Sequence, residues 1–149
     1  MSDKIYYSYQ EFRSDLKDLT KSINQEFEVI LAISRGGLSM GQMLGEFYDI
    51  REVYAINTIG YDNREKLSEV TVFNIPCLEM TKRVSIVDDI VDSGDTLVEV
   101  LKILETKYPT IEFFTASIFY KPSASIEPTW WVKEAKDWIE FFWSKDLKD

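Results

Sequence analysis

The chain has 149 residues, of which 45% are hydrophobic, and a formal net charge of -9 at pH 7. This length suits one ordinary globular domain covering residues 1–149 and is short for two. The acidic excess opposes a general affinity for nucleic acid or for an anionic membrane surface. The sequence contains no histidine, which excludes Ser-His-Asp and Cys-His catalysis and zinc sites built on histidine.

Three features of the sequence bear on where the protein works. Cys77 is the single cysteine and cannot form an internal disulfide. No hydrophobic stretch reaches the length needed to span a membrane, and the opening MSDKIYYSYQ lacks the basic and apolar segments of a signal peptide. We therefore expect a reducing cytoplasm as the location.

Hydrophobic periodicity predicts helices and strands in alternation along the chain. The predicted helices cover residues 9–23, Leu38–Tyr48 and Asp95–Lys107. The predicted strands cover residues 27–33, 53–59, 84–87 and 111–120, and residues 60–69 are predicted to be a polar, mobile loop. Strands separated by helices imply an α/β fold, a mostly parallel sheet with helices on both faces. Ligands of such sheets bind beyond the carboxyl ends of the strands.

The stretch VSIVDDIVDSGDTL, residues 84–97, carries four aspartates between an apolar run and a predicted helix. Asp88 and Asp89 end the predicted strand, and residues 92–96 form a turn whose backbone N–H groups and hydroxyls can hold a phosphate. The strand-end pair then faces either ribose hydroxyls or a divalent cation with hard oxygen ligands. Turn and cap propensity accounts for the small polar residues of the turn, but not for the doubled acid.

This stretch resembles the phosphoribosyl-pyrophosphate motif of type I phosphoribosyltransferases, which has apolar residues, two acids, two more residues and then Asp-Ser/Thr-Gly-x-Thr. Three further stretches resemble the bacterial xanthine-guanine branch of that family: ISRGGL, FYKPSA and DWIEFFW. The resemblance covers most of the chain. It implies the type I phosphoribosyltransferase fold, with a small C-terminal hood that binds the purine.

The resemblance assigns the 5-phosphate and the ribose of phosphoribosyl pyrophosphate to the aspartate stretch. Asp88 and Asp89 would hold the ribose hydroxyls and, directly or through water, Mg²⁺. The 5-phosphate would bind the turn made of Asp92, Ser93, Gly94, Asp95 and Thr96. Asp95 stands where relatives often have glycine or lysine, and its amide can donate if the carboxylate points away as a helix-start residue.

Two other segments would hold the pyrophosphate. Glycine in the first permits close approach of the backbone, and Arg35 supplies charge-assisted hydrogen bonds. This turn consists of Ser34, Arg35, Gly36 and Gly37. The second is the predicted loop, which would close over the site so that Tyr61 and Arg64 cover and grip the pyrophosphate.

The purine end rests on the last two resembling stretches. Lys121 would donate to the 6-oxo group of guanine, xanthine or hypoxanthine, Trp138 would stack on the purine, and the backbone of Ile139 would meet the base edge. Asp92 is the expected general base for the purine proton. Taken without the resemblance, Lys121 is a solvent-facing lysine and Trp138 a packing residue.

The sequence thus predicts a purine salvage enzyme that needs Mg²⁺ and binds phosphoribosyl pyrophosphate and a purine base, not nucleic acid. The alternatives are a regulator of the same fold that senses phosphoribosyl pyrophosphate, and an inactive member of the family. Clustered aromatics exceed what a small domain readily hides, and relatives are dimers or tetramers, so a homo-oligomer is expected. The aromatics are Tyr6, Tyr7, Tyr9, Trp130 and Trp131.

Overall fold

The computed structural model describes residues 4–61 and 69–148. Its strands are β1 (Lys4–Tyr7), β2 (Val29–Ser34), β3 (Val53–Tyr61), β4 (Glu69–Phe73), β5 (Arg83–Val91), β6 (Glu112–Tyr120), β7 (Trp130–Glu134) and β8 (Trp138–Phe141). Its α-helices are α1 (Tyr9–Ser22), α2 (Leu38–Tyr48), α3 (Asp95–Lys107) and α4 (Phe142–Lys145), followed by a 3₁₀ turn at Asp146–Lys148. Within these residues, no helix combines the length and apolarity required to cross a bilayer.

Six of these strands form one sheet in the order β4-β3-β2-β5-β6-β7. Every neighbouring pair is parallel except β3 and β4, which run antiparallel. The predicted mostly parallel sheet is therefore confirmed. A second, two-stranded sheet pairs β1 with β8 in parallel, so the segment predicted as a C-terminal hood pairs with the N-terminal strand.

Helices cover both faces of the six-stranded sheet, as predicted. On one face, Phe12 and Leu19 of α1 and Leu44 of α2 are buried in a cluster with alternate residues of β2 and β6. On the other face, Val100 and Leu104 of α3 pack with the remaining inward residues of β2 and β5. Strands buried on both faces are nearly continuous apolar runs, which is how the sequence revealed β2, β5 and β6.

The predicted limits of α2 and α3 agree with the structure, and α1 begins at the predicted residue. Ser8 fixes that start because its hydroxyl accepts a hydrogen bond from the backbone N–H of Glu11, and the Glu11 carboxylate accepts one from the backbone N–H of Ser8. The helix ends at Ser22 with Ile23 as its C-cap, not within the helix as predicted.

The predicted end of β5 was wrong. The strand continues to Val91, so Asp88 and Asp89 lie inside it, where Asp88 is in register with Ser117 of β6. On the opposite edge, the pairing of β5 with β2 stops at Val87. The two aspartates therefore lie past the last residue of β5 that pairs with β2, while β5 still pairs with β6.

The prediction omitted β1, β4, β7 and β8. It also assigned residues 60–69 to a loop, whereas Gly60 and Tyr61 end β3 and Glu69 starts β4. The omitted strands have four or five residues each, and such short segments carry little periodic signal. Residues 62–68 lie outside the described part of the chain.

Two of the aromatics cited for oligomer formation are core residues. Tyr7 is 3% exposed and Trp130 is 7% exposed, so neither needs a partner subunit to cover it. Tyr6 and Tyr9 remain exposed, at 43% and 46%. The premise for a homo-oligomer therefore holds only for part of the cluster.

Candidate active site

The segments predicted to bind substrate meet at one edge of the six-stranded sheet. The Ser34–Gly37 turn follows β2, the aspartate turn follows β5, and Lys121 follows β6. All three strands are parallel, so their carboxyl ends point to the same edge. The backbone N–H of Lys121 donates to the carbonyl of Val91 at 2.9 Å, which fixes the lysine beside the start of the aspartate turn.

Asp88 and Asp89 form a half-buried pair of like charges. The backbone N–H of Asp89 donates to Oδ1 of Asp88 at 2.9 Å. Burial, followed by the neighbouring carboxylate of Asp89, raises the pKa of Asp88 well above its ordinary value. Burial likewise raises the pKa of Asp89. Within the described residues, no lysine or arginine forms a salt bridge with either carboxylate.

The carboxylate oxygens of this pair can bind a divalent cation or accept hydrogen bonds from sugar hydroxyls. Carboxylate oxygens are the hard ligands that Mg²⁺ prefers, and Mg²⁺ keeps several ligands from water and substrate. The described residues contain no group of three or more metal-ligating side chains. A bound Mg²⁺ would accordingly take at most these two carboxylates from this part of the protein.

The turn after β2 passes close to the aspartate pair. A Cβ added to Gly36 would overlap the carboxylate of Asp89, so any larger residue there would displace the turn or the acid. Ser34 ends the strand and its peptide bond to Arg35 is cis. Arg35 is exposed, and α2 begins directly after Gly37. The turn thus presents backbone and an exposed arginine at the edge where Asp89 lies.

The turn predicted to bind the 5-phosphate is held by the chain that follows β6. Gly94 has φ of +90°, a conformation that glycine adopts without strain, and α3 starts at the next residue, Asp95. The hydroxyl of Ser93 accepts from the backbone N–H of Asp95 at 3.2 Å. The backbone N–H of Ser125 donates to the carbonyl of Ser93 at 2.9 Å. Thr96 is half-buried in the first turn of α3.

Ser125 was missed by the sequence interpretation. A Cβ on Gly94 would lie 2.7 Å from its hydroxyl oxygen, so the two segments are in tight contact. The contact joins the predicted phosphate turn to the FYKPSA segment that carries Lys121. A serine in a turn gives no sequence signal of this kind, because the contact depends on the tertiary arrangement of β5 and β6.

A cavity of about 750 Å³ contains the predicted purine residues. Lys121, Trp138 and Ile139 all line it, together with Asp92. The Nζ of Lys121 lies 3.3 Å from Oδ1 of Asp92, and both side chains are at least half exposed. Trp138 is 63% exposed, so its indole presents an open face and is not a packing residue.

The lining of the cavity also includes polar residues to which the sequence interpretation gave no role. Glu140 of β8 and Lys145 of α4 line it, and their side chains form an ion pair at 3.7 Å. Ser144 of α4 also lines the cavity. Of the predicted pyrophosphate residues, Arg64 and the side chain of Tyr61 lie outside the described part of the chain.

Comparisons with known proteins agree with this geometry. The family model described as phosphoribosyl transferase domain matches residues 3–149. A xanthine-guanine phosphoribosyltransferase of Cereibacter sphaeroides is 31% identical over 130 residues, which cover 84% of this chain and 74% of the relative. Another, from Idiomarina loihiensis, is 28% identical over 149 residues, covering 97% of this chain and 89% of the relative.

A solved structure shows the same fold over almost the whole chain. The xanthine-guanine-hypoxanthine phosphoribosyltransferase of Helicobacter pylori superposes with a TM-score of 0.90 at 39% identity, covering 98% of this chain and 97% of that one. The predicted α/β fold of the type I phosphoribosyltransferases is confirmed. The chain belongs to the phosphoribosyltransferase family, which confirms the predicted enzyme class.

Proposed function

We propose that the protein is a purine salvage enzyme that transfers the 5-phosphoribosyl group of phosphoribosyl pyrophosphate to a 6-oxopurine. The products are the purine nucleoside 5'-monophosphate and pyrophosphate. The observation that carries this proposal is the cavity in which Lys121 and Trp138 meet beside Asp92. The relatives named for xanthine, guanine and hypoxanthine support the choice of base.

The ammonium of Lys121 and the carboxylate of Asp92 form a donor and an acceptor 3.3 Å apart. A 6-oxopurine offers the complementary pair, since its 6-oxo oxygen accepts and the neighbouring ring N–H donates. Adenine places an amino donor where the lysine needs an acceptor. Trp138 supplies an exposed ring for stacking, and the backbone of Ile139 meets the edge of the base. This arrangement favours 6-oxopurines over adenine.

The phosphoribosyl group is proposed to lie along the carboxyl edge of the sheet. The 5-phosphate takes the turn from Asp92 to Thr96, at the start of α3, where the N-cap residue Gly94 supplies no side-chain cap. The pyrophosphate takes the turn that contains Arg35 and Gly36, covered by Tyr61 and Arg64. Asp88 and Asp89 lie between these two turns along the sheet and hold the ribose hydroxyls.

Asp88 and Asp89 are also the residues proposed to hold Mg²⁺. Bound Mg²⁺ would neutralise the negative charge of the pyrophosphate and assist its departure. Burial raises the pKa of both carboxyls, and a positive charge bound beside them would favour their ionised form, which supports this proposal. The ionised carboxylates also face the sugar, which becomes cationic as the reaction proceeds.

In the proposed reaction, a purine ring nitrogen forms a bond to C1 of the ribose while the bond from C1 to the pyrophosphate oxygen breaks. The electron pair of that bond leaves with pyrophosphate, and the purine loses a ring proton to Asp92 from the ring nitrogen that neighbours the 6-oxo group. No redox partner is required. Catalysis then consists of positioning and of stabilising opposite charges at the two ends of the breaking bond.

We further propose that residues 1–149 act as a single domain in the cytoplasm, as a homo-oligomer such as a dimer or tetramer, without a nucleic-acid partner. The net charge of -9 opposes nucleic-acid binding, and exposed Tyr6 and Tyr9 are candidates for a subunit interface. The alternative function, a regulator that only senses phosphoribosyl pyrophosphate, finds no support among the comparisons.

A steady-state assay with phosphoribosyl pyrophosphate, Mg²⁺ and guanine, xanthine, hypoxanthine or adenine in turn tests the proposal. We expect pyrophosphate and nucleotide to appear in equal amounts with one or more 6-oxopurines, and far more slowly with adenine. If phosphoribosyl pyrophosphate bound but no purine released pyrophosphate, the catalytic proposal would be wrong and the regulatory alternative would replace it.

A further inference from the structure

A cluster of polar residues around the buried carboxylate of Asp15 contributes no side chain to the lining of the purine cavity. We call Tyr7, Asp15 and Lys133 the anchor. Asp15 is 4% exposed although it carries a carboxylate. The hydroxyl of Tyr7 donates to Oδ2 of Asp15 at 2.5 Å, and the Nζ of Lys133 lies 3.1 Å from the same oxygen. The Lys133 ammonium also lies 5.8 Å from the centre of the Tyr7 ring.

The anchor joins three elements that are distant in the sequence. Tyr7 ends β1, Asp15 lies on α1 and Lys133 lies on β7. Strand β1 pairs with β8, which carries Trp138, and β7 pairs with β6, which precedes Lys121. The carboxylate of Asp15 connects the three elements, because both Tyr7 and Lys133 contact it.

One side of the anchor leads to Trp138. Strand β1 pairs with β8 in a register that sets Lys4 opposite Trp138 and Tyr7 opposite Phe141. The two strands form their own sheet, separate from the six-stranded one. The position of Trp138 relative to the rest of the protein therefore depends on how this small sheet is fixed, and Tyr7 is its buried end.

The other side leads to Lys121. Strand β7 pairs with β6 so that Lys133 is opposite Phe119, two residues before the lysine that contacts Asp92. The backbone N–H of Ala135 donates to the carbonyl of Tyr120 at 2.9 Å, which ties the end of β7 to the residue preceding Lys121. A bond from Asp15 to Lys133 thus fixes α1 against the strand pair that presents Lys121.

Apolar packing alone would not set this geometry. The centroid of the Tyr7 ring lies 4.9 Å from that of Phe119 and 5.7 Å from that of Phe141. The hydrophobic part of these contacts is non-directional. A buried ion pair adds little stability over an apolar replacement of similar volume, but its hydrogen bonds are directional. Burial, and then the Asp15 carboxylate, raises the pKa of Tyr7 above its ordinary value, so its hydroxyl stays protonated and donates at neutral pH.

We propose that Tyr7, Asp15 and Lys133 are positioning residues that set the separation of Lys121 and Trp138 across the purine cavity. The proposal rests on the proposed function of that cavity. The aspartate turn and the Ser34–Gly37 turn are attached to β5 and β2, not to the anchor. The anchor should accordingly govern the binding of the purine and leave the binding of phosphoribosyl pyrophosphate unchanged.

The test compares the KM for guanine with the KM for phosphoribosyl pyrophosphate in Tyr7→Phe, Asp15→Asn and Lys133→Met. Displacement of a contact group by about 1 Å can reduce efficiency by up to about 100-fold. We expect the KM for the purine to rise about tenfold in each variant, and the KM for phosphoribosyl pyrophosphate to change less than about twofold. Lys133→Arg, which can still reach Asp15, should keep the wild-type purine KM.

A purely structural role would give a different pattern. It would lower the melting temperature and the active fraction, so kcat would fall while both KM values stayed constant, and that outcome would overturn the proposal. So would a parallel rise of both KM values. Lys133 has a side chain that is 45% exposed, so Lys133→Met keeps the test valid if Asp15→Asn does not fold.

The matched control is Lys21→Met, which removes a lysine from α1 that faces Asp18 at 3.9 Å on the surface. It should leave both KM values unchanged, because exposed pairs contribute little. Failure of the proposed function would look different from failure of the anchor. If the proposed function is wrong, the wild-type protein itself converts no purine. If only the proposal about the anchor is wrong, wild-type turnover is intact and the variants have the same KM values as the wild type.

Discussion

The two ends of the proposed site are built in different ways. The phosphoribosyl end uses short continuous segments, each of which follows a strand of the six-stranded sheet. The purine end combines Lys121 after β6 with Trp138 in a two-stranded sheet whose other strand is at the N-terminus. Changes at the first end should therefore act on the chemistry, and changes at the second on which base is accepted.

The double replacement of Asp88 and Asp89 by Asn should have the largest effect and test the first half of this comparison. The loss of two carboxylates facing a developing cation is expected to lower kcat by about 100-fold to 1,000-fold, the range for removing a charge-stabilising group. The KM for purines should change little. Steady-state kinetics would measure both, and activity in excess EDTA should fall to background because Mg²⁺ is lost.

Asp18→Asn is the control for that experiment, because it removes an exposed carboxylate of α1 that has no proposed role in the site. An unchanged turnover number in the double variant would remove Asp88 and Asp89 from the site. Full turnover in EDTA would show that the protein has no need of a divalent cation, and the assignment of the pair as metal ligands would then be wrong.

The second half of the comparison predicts that replacing Lys121 and replacing Trp138 have different effects on purine binding. Lys121→Met should lose about 1.5–3 kcal/mol of binding to 6-oxopurines and should narrow the preference over adenine, because a hydrogen-bond donor is selective. Trp138→Ala should weaken every accepted purine by about 1–3 kcal/mol, because stacking depends little on ring substituents. Catalytic efficiency with guanine, xanthine, hypoxanthine and adenine measures both effects.

Two controls accompany these variants. Trp138→Phe keeps a stacking ring and should recover most of the lost efficiency, and Lys102→Met removes an exposed lysine of α3 without effect. If Lys121→Met left the ratio of 6-oxopurine to adenine activity unchanged, Lys121 would be an ordinary surface lysine and the purine assignment would lose its main support.

The same contrast explains what the sequence could and could not predict. The phosphate turn was recognisable because its residues are contiguous and the strand and the helix around it have strong periodic patterns. The limits of α2 and α3 followed from the glycine and polar turns that precede them. The predicted end of β5, at Asp88 and Asp89, was two residues too early, because Ile90 and Val91 extend the strand through pairing with β6.

The purine end was accessible only through the resemblance. Nothing local relates β1 to β8, because four-residue strands carry little periodic information and their partner lies at the opposite end of the chain. Trp138 read locally is a core tryptophan, whereas it is exposed in the cavity. The contact of Ser125 with Gly94 and the buried anchor around Asp15 depend on tertiary packing, so no spacing in the sequence indicates them.

The smallest expected effect concerns stability and separates a functional acid pair from a structural one. Burial raises the pKa of Asp88 above its ordinary value of 3.8. When the pKa of a carboxyl is higher in the folded state than in the unfolded state, its contribution to stability is largest at pH values below the unfolded-state pKa, where the carboxyl is protonated. This contribution is lost as the pH rises through the folded pKa. At neutral pH this stabilising contribution is reduced when neither Mg²⁺ nor substrate is bound, so Asp88 then makes the fold less stable than a neutral side chain would.

Asp88→Asn, which stays neutral at every pH, should consequently raise the melting temperature at pH 7 in EDTA while it lowers turnover. We expect an increase of about 2–4 °C, which corresponds to about 1 kcal/mol for a chain of this size. The difference from wild type should shrink as the pH falls toward 4 and below, because the native carboxyl is then protonated as well. Mg²⁺ with phosphoribosyl pyrophosphate should stabilise the wild type more than the variant.

Thermal unfolding followed between pH 4 and 8 measures these differences. A lower melting temperature for the variant at pH 7 would mean that Asp88 supports the fold, and the view that the phosphoribosyl end trades stability for chemistry would have to be given up.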